Sequence, residues 1–141
     1  MTEIAFHFNV RDRMAYACRL LRKAWRSGAQ VGVVGHEAWL AELDRALWSF
    51  EPVEFVPHAW AGRAAGPVAA LTRVWLARTP GELPHHAVLV NFGDDVPPGF
   101  ERFERLIEVV TTDEGDRLAG RRRWKHYSDR GYAIVRYEVP A

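Results

Sequence analysis

The sequence lacks the features that identify several common classes of protein. It has a single cysteine, Cys18, so no disulfide can form within the chain, and a reducing cytoplasm is the expected location. Acidic and basic residues nearly cancel, at a formal net charge of +1, so no global field selects nucleic acid, a membrane or an acidic partner. No apolar run approaches membrane-spanning length, and the N-terminus has no signal pattern. Any electrostatic function must therefore be local.

The usual motifs of nucleotide and metal sites are also missing. Gly32 and Gly35 flank a predicted strand-to-helix turn, but the three-glycine spacing and the Gly-Lys-Ser/Thr of phosphate loops are absent. The six histidines show no metal-ligand spacing, and adjacent His85 and His86 would point to opposite faces of a strand. We expect no cofactor and no metal.

No catalytic constellation stands out either. Asp94 and Asp95 follow the most apolar predicted strand, where α/β enzymes often place carboxylates. The prolines directly after them indicate a turn, a position that Asp favours for backbone reasons. No Gly-x-Ser-x-Gly elbow and no Cys-His pairing accompany them. We expect no catalytic residue and no enzyme activity.

The hydrophobic pattern predicts one α/β domain over residues 1–141. Apolar residues recur at helical spacing in three segments, and extended apolar segments alternate with them, which is typical of a doubly wound, mostly parallel, Rossmann-like sheet. Thr72–Arg78, with its charges and alternation, is predicted to be an edge strand. The predicted strands are Glu3–Phe8, Val31–Val34, Phe55–Pro57, Thr72–Arg78, Ala87–Asn91, Leu106–Val110 and Tyr132–Val139; the predicted helices are Met14–Trp25, Glu37–Trp48 and Asp113–Tyr127.

The segment Ala46–Gly62 is a candidate interaction surface. Pro57 has no backbone donor, so an extended segment around it pairs fully on only one side or lies at a sheet edge. Trp48 and Phe55 would be costly to leave in water at such an edge, and a second protein could cover them. A buried strand beneath a loop explains the same residues equally well.

The last predicted helix carries a second candidate surface. Arg117, Arg121 and Trp124 fall at i, i+4 and i+7, which places two guanidinium groups beside an indole on one helix face. Val110 ends the preceding strand, at the carboxyl edge where α/β sheets bind ligands. Such a face suits a carboxylate with an adjacent apolar group. Alternatively, Arg117–Lys125 is simply a solvated basic helix face, or Arg121–Lys125 binds single-stranded nucleic acid directly through phosphates and Trp124 stacking.

Taken together, several stretches resemble the chi subunit family of bacterial DNA polymerase III, a component of the clamp-loader assembly. The matching stretches are AWRSG within Arg22–Gly28, LDRALW at Leu43–Trp48, FVPH at Phe55–His58, LVNF at Leu89–Phe92, VPPGFERFERLIEVV at Val96–Val110 and RRWKHYSDRGY at Arg122–Tyr132. They cover nearly the whole chain in order. The resemblance implies a non-catalytic adaptor with a fold like that of P-loop proteins but without the P-loop.

The resemblance also implies partners for the two surfaces. Trp48, Phe55 and Pro57 match the family positions that bind the psi subunit, which links chi to the clamp loader; a helicase-like protein could share that face. Val110, Arg117, Arg121 and Trp124 match the positions that bind the acidic C-terminal tail of single-stranded-DNA-binding protein. Arg117 stands where a lysine is common, and Trp124 replaces a tyrosine. DNA would then be contacted indirectly.

Overall fold

The computed structural model describes residues 1–49, 56–63 and 72–140. In these ranges a single seven-stranded sheet runs in the order β3-β4-β2-β5-β6-β1-β7, and every neighbouring pair of strands is parallel. The predicted parallel α/β fold is therefore confirmed. The strands are β1 Glu3–Val10, β2 Val31–Val34, β3 His58–Trp60, β4 Val74–Ala77, β5 Val88–Asn91, β6 Arg105–Thr111 and β7 Ile134–Glu138.

Three α-helices lie in the described ranges: α1 Arg13–Arg26, α2 Glu37–Ser49 and α3 Glu114–Asp129. Asp12 caps α1 by accepting a hydrogen bond from the Ala15 backbone N–H at 3.0 Å, and Asp113 caps α3 in the same way. Short 3-10 helices occupy Pro80–Glu82 and Phe100–Arg102. None of the helices in these ranges combines the length and apolar content that a bilayer crossing requires.

The sheet separates two hydrophobic cores, because successive side chains of a strand point to opposite faces. In β6, Ile107 and Val109 join the core formed with α1 and α2, whereas Leu106 and Val110 join the core beneath α3. Both clusters consist of residues that are almost entirely removed from solvent. Helices on both faces of one parallel sheet are the doubly wound arrangement expected from the sequence.

Two sequence predictions need comment. The prediction of an edge strand at Thr72–Arg78 is wrong: β4 lies between β3 and β2, and all four of its residues are buried. The charges that favoured exposure lie just outside the strand, and Arg73 donates to the Trp25 carbonyl at 3.0 Å. The edge is instead β3, His58–Trp60, directly after Pro57; Phe55 lies outside the described residues.

Candidate functional site

Helix α3 lies close against the sheet because a glycine faces β6. A Cβ placed on Gly120 would lie 2.8 Å from Cγ2 of Val110, so no larger residue fits without a shift. Val110 is completely buried beneath this contact. This contact sets the distance between α3 and the sheet, and therefore the height of the other α3 side chains above the sheet.

The first turn of α3 is bonded to the end of β6. The Asp116 carboxylate accepts from the backbone N–H of Thr111 at 2.7 Å and from its hydroxyl at 2.8 Å. Arg13 of α1 lies 3.1 Å from the same carboxylate oxygen. Because Asp116 is held in this way, the direction of the next residue, Arg117, is set by the fold.

A buried polar network fixes the rotation of α3. Oε1 of Glu108 accepts from Nε of Arg123 at 2.8 Å, and its Oε2 accepts from the Tyr127 hydroxyl at 2.6 Å. Nδ2 of Asn91 donates to the same carboxylate at 3.0 Å, and Nη1 of Arg123 donates to the Asp94 carbonyl at 2.9 Å. Burial raises the pKa of Glu108, and burial with the adjacent Glu108 raises the pKa of Tyr127.

With that rotation fixed, a neighbouring face of α3 lies over β1 and β7 and forms an open pocket. We call it the α3 pocket; its volume is about 410 Å³, and it is lined by Phe8, Arg117, Arg121, Trp124 and Arg136. Three elements thus contribute to one cavity, although α3 provides most of the lining. The pocket therefore lies between α3 and the face of the sheet. Dinucleotides in this class of fold bind elsewhere, in the crevice at the carboxyl ends of the strands.

The floor of the α3 pocket is aromatic. The ring of Trp124 packs against Phe6 and Phe8, at centroid distances of 5.0 and 5.8 Å. The guanidinium carbon of Arg136 lies 4.9 Å from the centre of the Phe8 ring, a cation–π arrangement that holds this arginine at the pocket. The floor can therefore pack against an apolar or aromatic ligand group.

The rim of the pocket is positively charged. In the part of the chain that the structure describes, none of Arg117, Arg121 and Arg136 forms an ion pair with a carboxylate. Each guanidinium presents several N–H donors and matches the geometry of a carboxylate. An anion with an adjacent apolar group satisfies both the rim and the floor.

The structure brings together three of the four residues predicted for this surface. Arg117, Arg121 and Trp124 line the pocket, whereas Val110 is buried and supports Gly120 from below without lining it. Phe8 and Arg136 were missed, because they come from β1 and β7 and are far away in sequence. The alternation in Glu3–Phe8 places Phe6 and Phe8 on one face, but only the observed pairing of β7 with β1 adds Arg136.

Fewer cations of the basic segment Arg121–Lys125 are free to bind phosphates than the sequence suggests. Arg123 has only 1% of its surface exposed and is committed to Glu108. Nζ of Lys125 lies 2.9 Å from the Asp129 carboxylate, one turn further along α3. Within Arg121–Lys125 this leaves Arg121 and Arg122 as the exposed cations without an ion pair among the described residues, which is a small surface for phosphates.

Trp48 lies next to β3, at the edge of the sheet opposite the α3 pocket. Its side chain is 64% exposed at the end of α2, and its ring centroid is 5.7 Å from that of His58. The His58 ring is held by the Asp44 carboxylate and the Val56 carbonyl, both at 2.7 Å. Pro57 is half-buried beside it. The structure therefore places Trp48 and Pro57 at one edge.

The carboxyl end of the sheet carries a smaller cavity, of about 180 Å³, between the ends of β2, β4 and β5. There Nε2 of His36 lies 2.9 Å from the Asp94 carboxylate, and this hydrogen bond lowers the pKa of Asp94. Among the described residues, no three His, Cys, Asp or Glu side chains gather as a metal site would require.

Comparison with known proteins gives one family. A family model described as DNA polymerase III chi subunit, HolC, matches residues 1–135. The DNA polymerase III subunit chi of Pseudomonas aeruginosa is 36% identical over 130 residues, covering 91% of this chain and 87% of that protein. The subunit of the same name from Haemophilus influenzae is 31% identical over 119 residues (84% and 81%). That of Escherichia coli is 24% identical over 118 residues (83% and 79%).

Proposed function

Because the chain belongs to the family of DNA polymerase III chi subunits, we propose that it is a non-catalytic adaptor of the replisome. One surface binds the psi subunit and so connects the chain to the clamp loader. The other binds the acidic C-terminal tail of single-stranded-DNA-binding protein, so that contact with DNA is indirect. Its location in the cytoplasm, expected from the sequence, stays a prediction.

The α3 pocket is the observation that carries the proposal for the tail. A tail ending in Asp, Pro and a terminal Phe offers a carboxylate beside an aromatic ring, and the pocket offers arginines around an aromatic floor. Burial of one Phe contributes about 1.5–3 kcal/mol. Each exposed charge pair adds only about 0.2–1 kcal/mol and weakens with salt. The expected affinity is modest and depends on ionic strength.

Trp48 supports the proposal for the psi subunit. A large aromatic side chain that is 64% exposed beside an edge strand is typical of a residue that a partner protein buries. Pro57 lies at the same edge, and Phe55 enters the proposal through its family position alone. A helicase-like protein could bind the same surface in place of psi.

The two surfaces are far enough apart to be occupied together. Trp48 is next to β3, the α3 pocket lies over β1 and β7, and these are opposite edges of the sheet. At about 4.8 Å per strand, the edges are roughly 30 Å apart. An adaptor requires such a separation, because each partner must bind without displacing the other.

Binding measurements with matched variants test the proposal. Arg121→Ala should weaken binding of a synthetic acidic peptide ending in Asp-Ile-Pro-Phe by about fivefold, the equivalent of roughly 1 kcal/mol. Arg122→Ala, an adjacent exposed arginine that does not line the pocket, is the matched control and should have little effect. Trp48→Ala should reduce binding of the psi subunit and leave peptide binding unchanged.

Two results would contradict the proposal. If Arg121→Ala and Arg122→Ala weaken peptide binding equally, the α3 pocket is not the site. If Trp48→Ala and Arg121→Ala each abolish both interactions in a folded protein, the two surfaces are not separate. Preferred binding of single-stranded DNA, with a steep dependence on salt, would favour the nucleic-acid alternative.

A further inference from the structure

The last strand leaves one side of the sheet open next to the α3 pocket. Strand β7 pairs with β1, in the register His7 to Tyr137, and among the residues described no strand pairs with its other side. Of its five residues, Val135 is 66% exposed and Tyr137 is 49% exposed. A terminal strand with exposed apolar side chains is a surface on which another extended chain can pair.

The hydrogen bonds just after β7 show which backbone groups face outwards. The N–H of Val139 donates to the Phe8 carbonyl at 2.9 Å, and its own carbonyl accepts from Nδ2 of Asn9 at 3.2 Å. Both polar groups of Val139 therefore point towards β1. Because direction alternates along a strand, those of Tyr137 also point towards β1, and those of Arg136 and Glu138 point away from it.

Arg136 connects this open side to the pocket. Its guanidinium lines the α3 pocket over the Phe8 ring, while its backbone N–H and carbonyl face the open side of β7. A ligand whose carboxylate contacts the guanidinium therefore has main-chain hydrogen-bond partners within reach. An acidic chain also matches the three arginines of the rim. Glu138, in the adjoining groove, opposes it with a like charge.

We propose that the peptide bound in the α3 pocket continues along β7 as an eighth strand, paired with the backbone of Arg136 and Glu138. The occupant is an extended acidic peptide with a free terminal carboxylate, and the inference rests on the tail binding proposed above. The pocket holds the terminal carboxylate and its aromatic ring, and the residues before them pair with the strand. Main-chain pairing of this kind adds affinity without requiring a particular side chain at each position.

Amide hydrogen exchange tests the pairing directly. Nuclear magnetic resonance of the whole protein, with and without the acidic peptide ending in Asp-Ile-Pro-Phe, should show slower exchange at the amides of Arg136 and Glu138. The Tyr137 amide, which already faces β1, is the internal control and should change little. Unchanged exchange at Arg136 and Glu138 under saturating peptide would overturn the inference.

A proline variant provides a second test on the protein side. Glu138→Pro removes an N–H that faces outwards, so the pairing of β7 with β1 is retained. Relative to Glu138→Ala, which removes the same side chain, it should weaken peptide binding about threefold to tenfold, the effect of one net hydrogen bond. Equal affinity of the two folded variants would contradict the pairing. If Glu138→Pro does not fold, amide exchange at Arg136 and Glu138 in the unmodified protein decides whether the peptide pairs with β7.

The peptide itself can be varied in the same way. N-methylation at successive residues before the Ile-Pro-Phe end should weaken binding at alternate positions, because only alternate amides of a strand face β7. A peptide that binds in an Arg121-dependent manner, with a uniform response to N-methylation, would overturn the eighth strand and leave the proposed function intact. A peptide that does not bind at all would overturn both.

Discussion

Replacement of Arg123 by leucine should destabilise the fold more than any exposed charge change on α3. Arg123→Leu removes the 2.8 Å bond to Glu108 and the 2.9 Å bond to the Asp94 carbonyl, and it leaves the Glu108 carboxylate buried without its cation. Loss of one partner from a buried ion pair costs about 3–5 kcal/mol. That is a large fraction of the total stability of about 5–15 kcal/mol that a domain has.

The assay is urea unfolding followed by far-ultraviolet circular dichroism. With a slope of about 1–3 kcal/mol per molar urea, the midpoint of Arg123→Leu should fall by more than about 1 M. Arg122→Leu is the matched control, because Arg122 is the exposed neighbour on the same helix, and it should change the free energy of unfolding by no more than about 0.5 kcal/mol.

A double variant distinguishes the cost of an unpaired buried charge from the cost of altered packing. Glu108→Leu combined with Arg123→Leu removes both charges together, and buried ion pairs can often be replaced by apolar residues without loss. The double variant should therefore be more stable than Arg123→Leu alone. If Arg123→Leu is as stable as Arg122→Leu, the network does not hold α3 on the sheet, and the account of how the pocket is positioned is wrong.

Three further predictions concern other parts of the fold. Gly120→Ala should destabilise by about 1–3 kcal/mol in urea unfolding, because the new Cβ meets Val110 at 2.8 Å, and adding Val110→Ala should relieve part of that loss. Burial, with smaller contributions from Arg105 and Lys23, lowers the pKa of His7 to about 4. Neutral His7 therefore contributes to the free energy of unfolding in full above about pH 6.5, and this contribution is lost as the pH falls towards 4. Urea unfolding at several pH values should show the loss. His7→Gln should flatten that dependence; an unchanged profile would exclude His7 as its source. Glu138→Gln should tighten binding of the acidic peptide severalfold in a low-salt titration, because Glu138 is an anion in the groove beside the pocket, and weaker binding would contradict the proposed path of the peptide.

Much of the fold could be predicted from the sequence because its periodicities are clear. The apolar run at Ala87–Asn91 predicts the strand observed as β5, and the predicted helix Asp113–Tyr127 corresponds to α3. The charges and alternation of Thr72–Arg78 favour an edge strand, because they suit exposure on one side. In the structure they flank a buried strand, and burial of the four apolar residues of β4 decides its position.

The candidate site was predictable only where it lies on one element. Arg117, Arg121 and Trp124 follow from the repeat of an α-helix, which brings i, i+4 and i+7 to one face. Arg136 and Phe8 depend on the pairing of the first strand with the last, and no local pattern encodes that pairing. Val110 was expected among the tail-binding residues, but its position opposite Gly120 places it beneath the helix.

The measurement that tests the adaptor most directly is a titration of the protein with the labelled acidic peptide ending in Asp-Ile-Pro-Phe. The free carboxylate and the C-terminal amide are compared at low and high salt, with fluorescence anisotropy as the signal. The account predicts that the free acid binds about tenfold more tightly than the amide and that its affinity falls with salt. Equal binding of acid and amide, or binding of single-stranded DNA in place of the peptide, would contradict it.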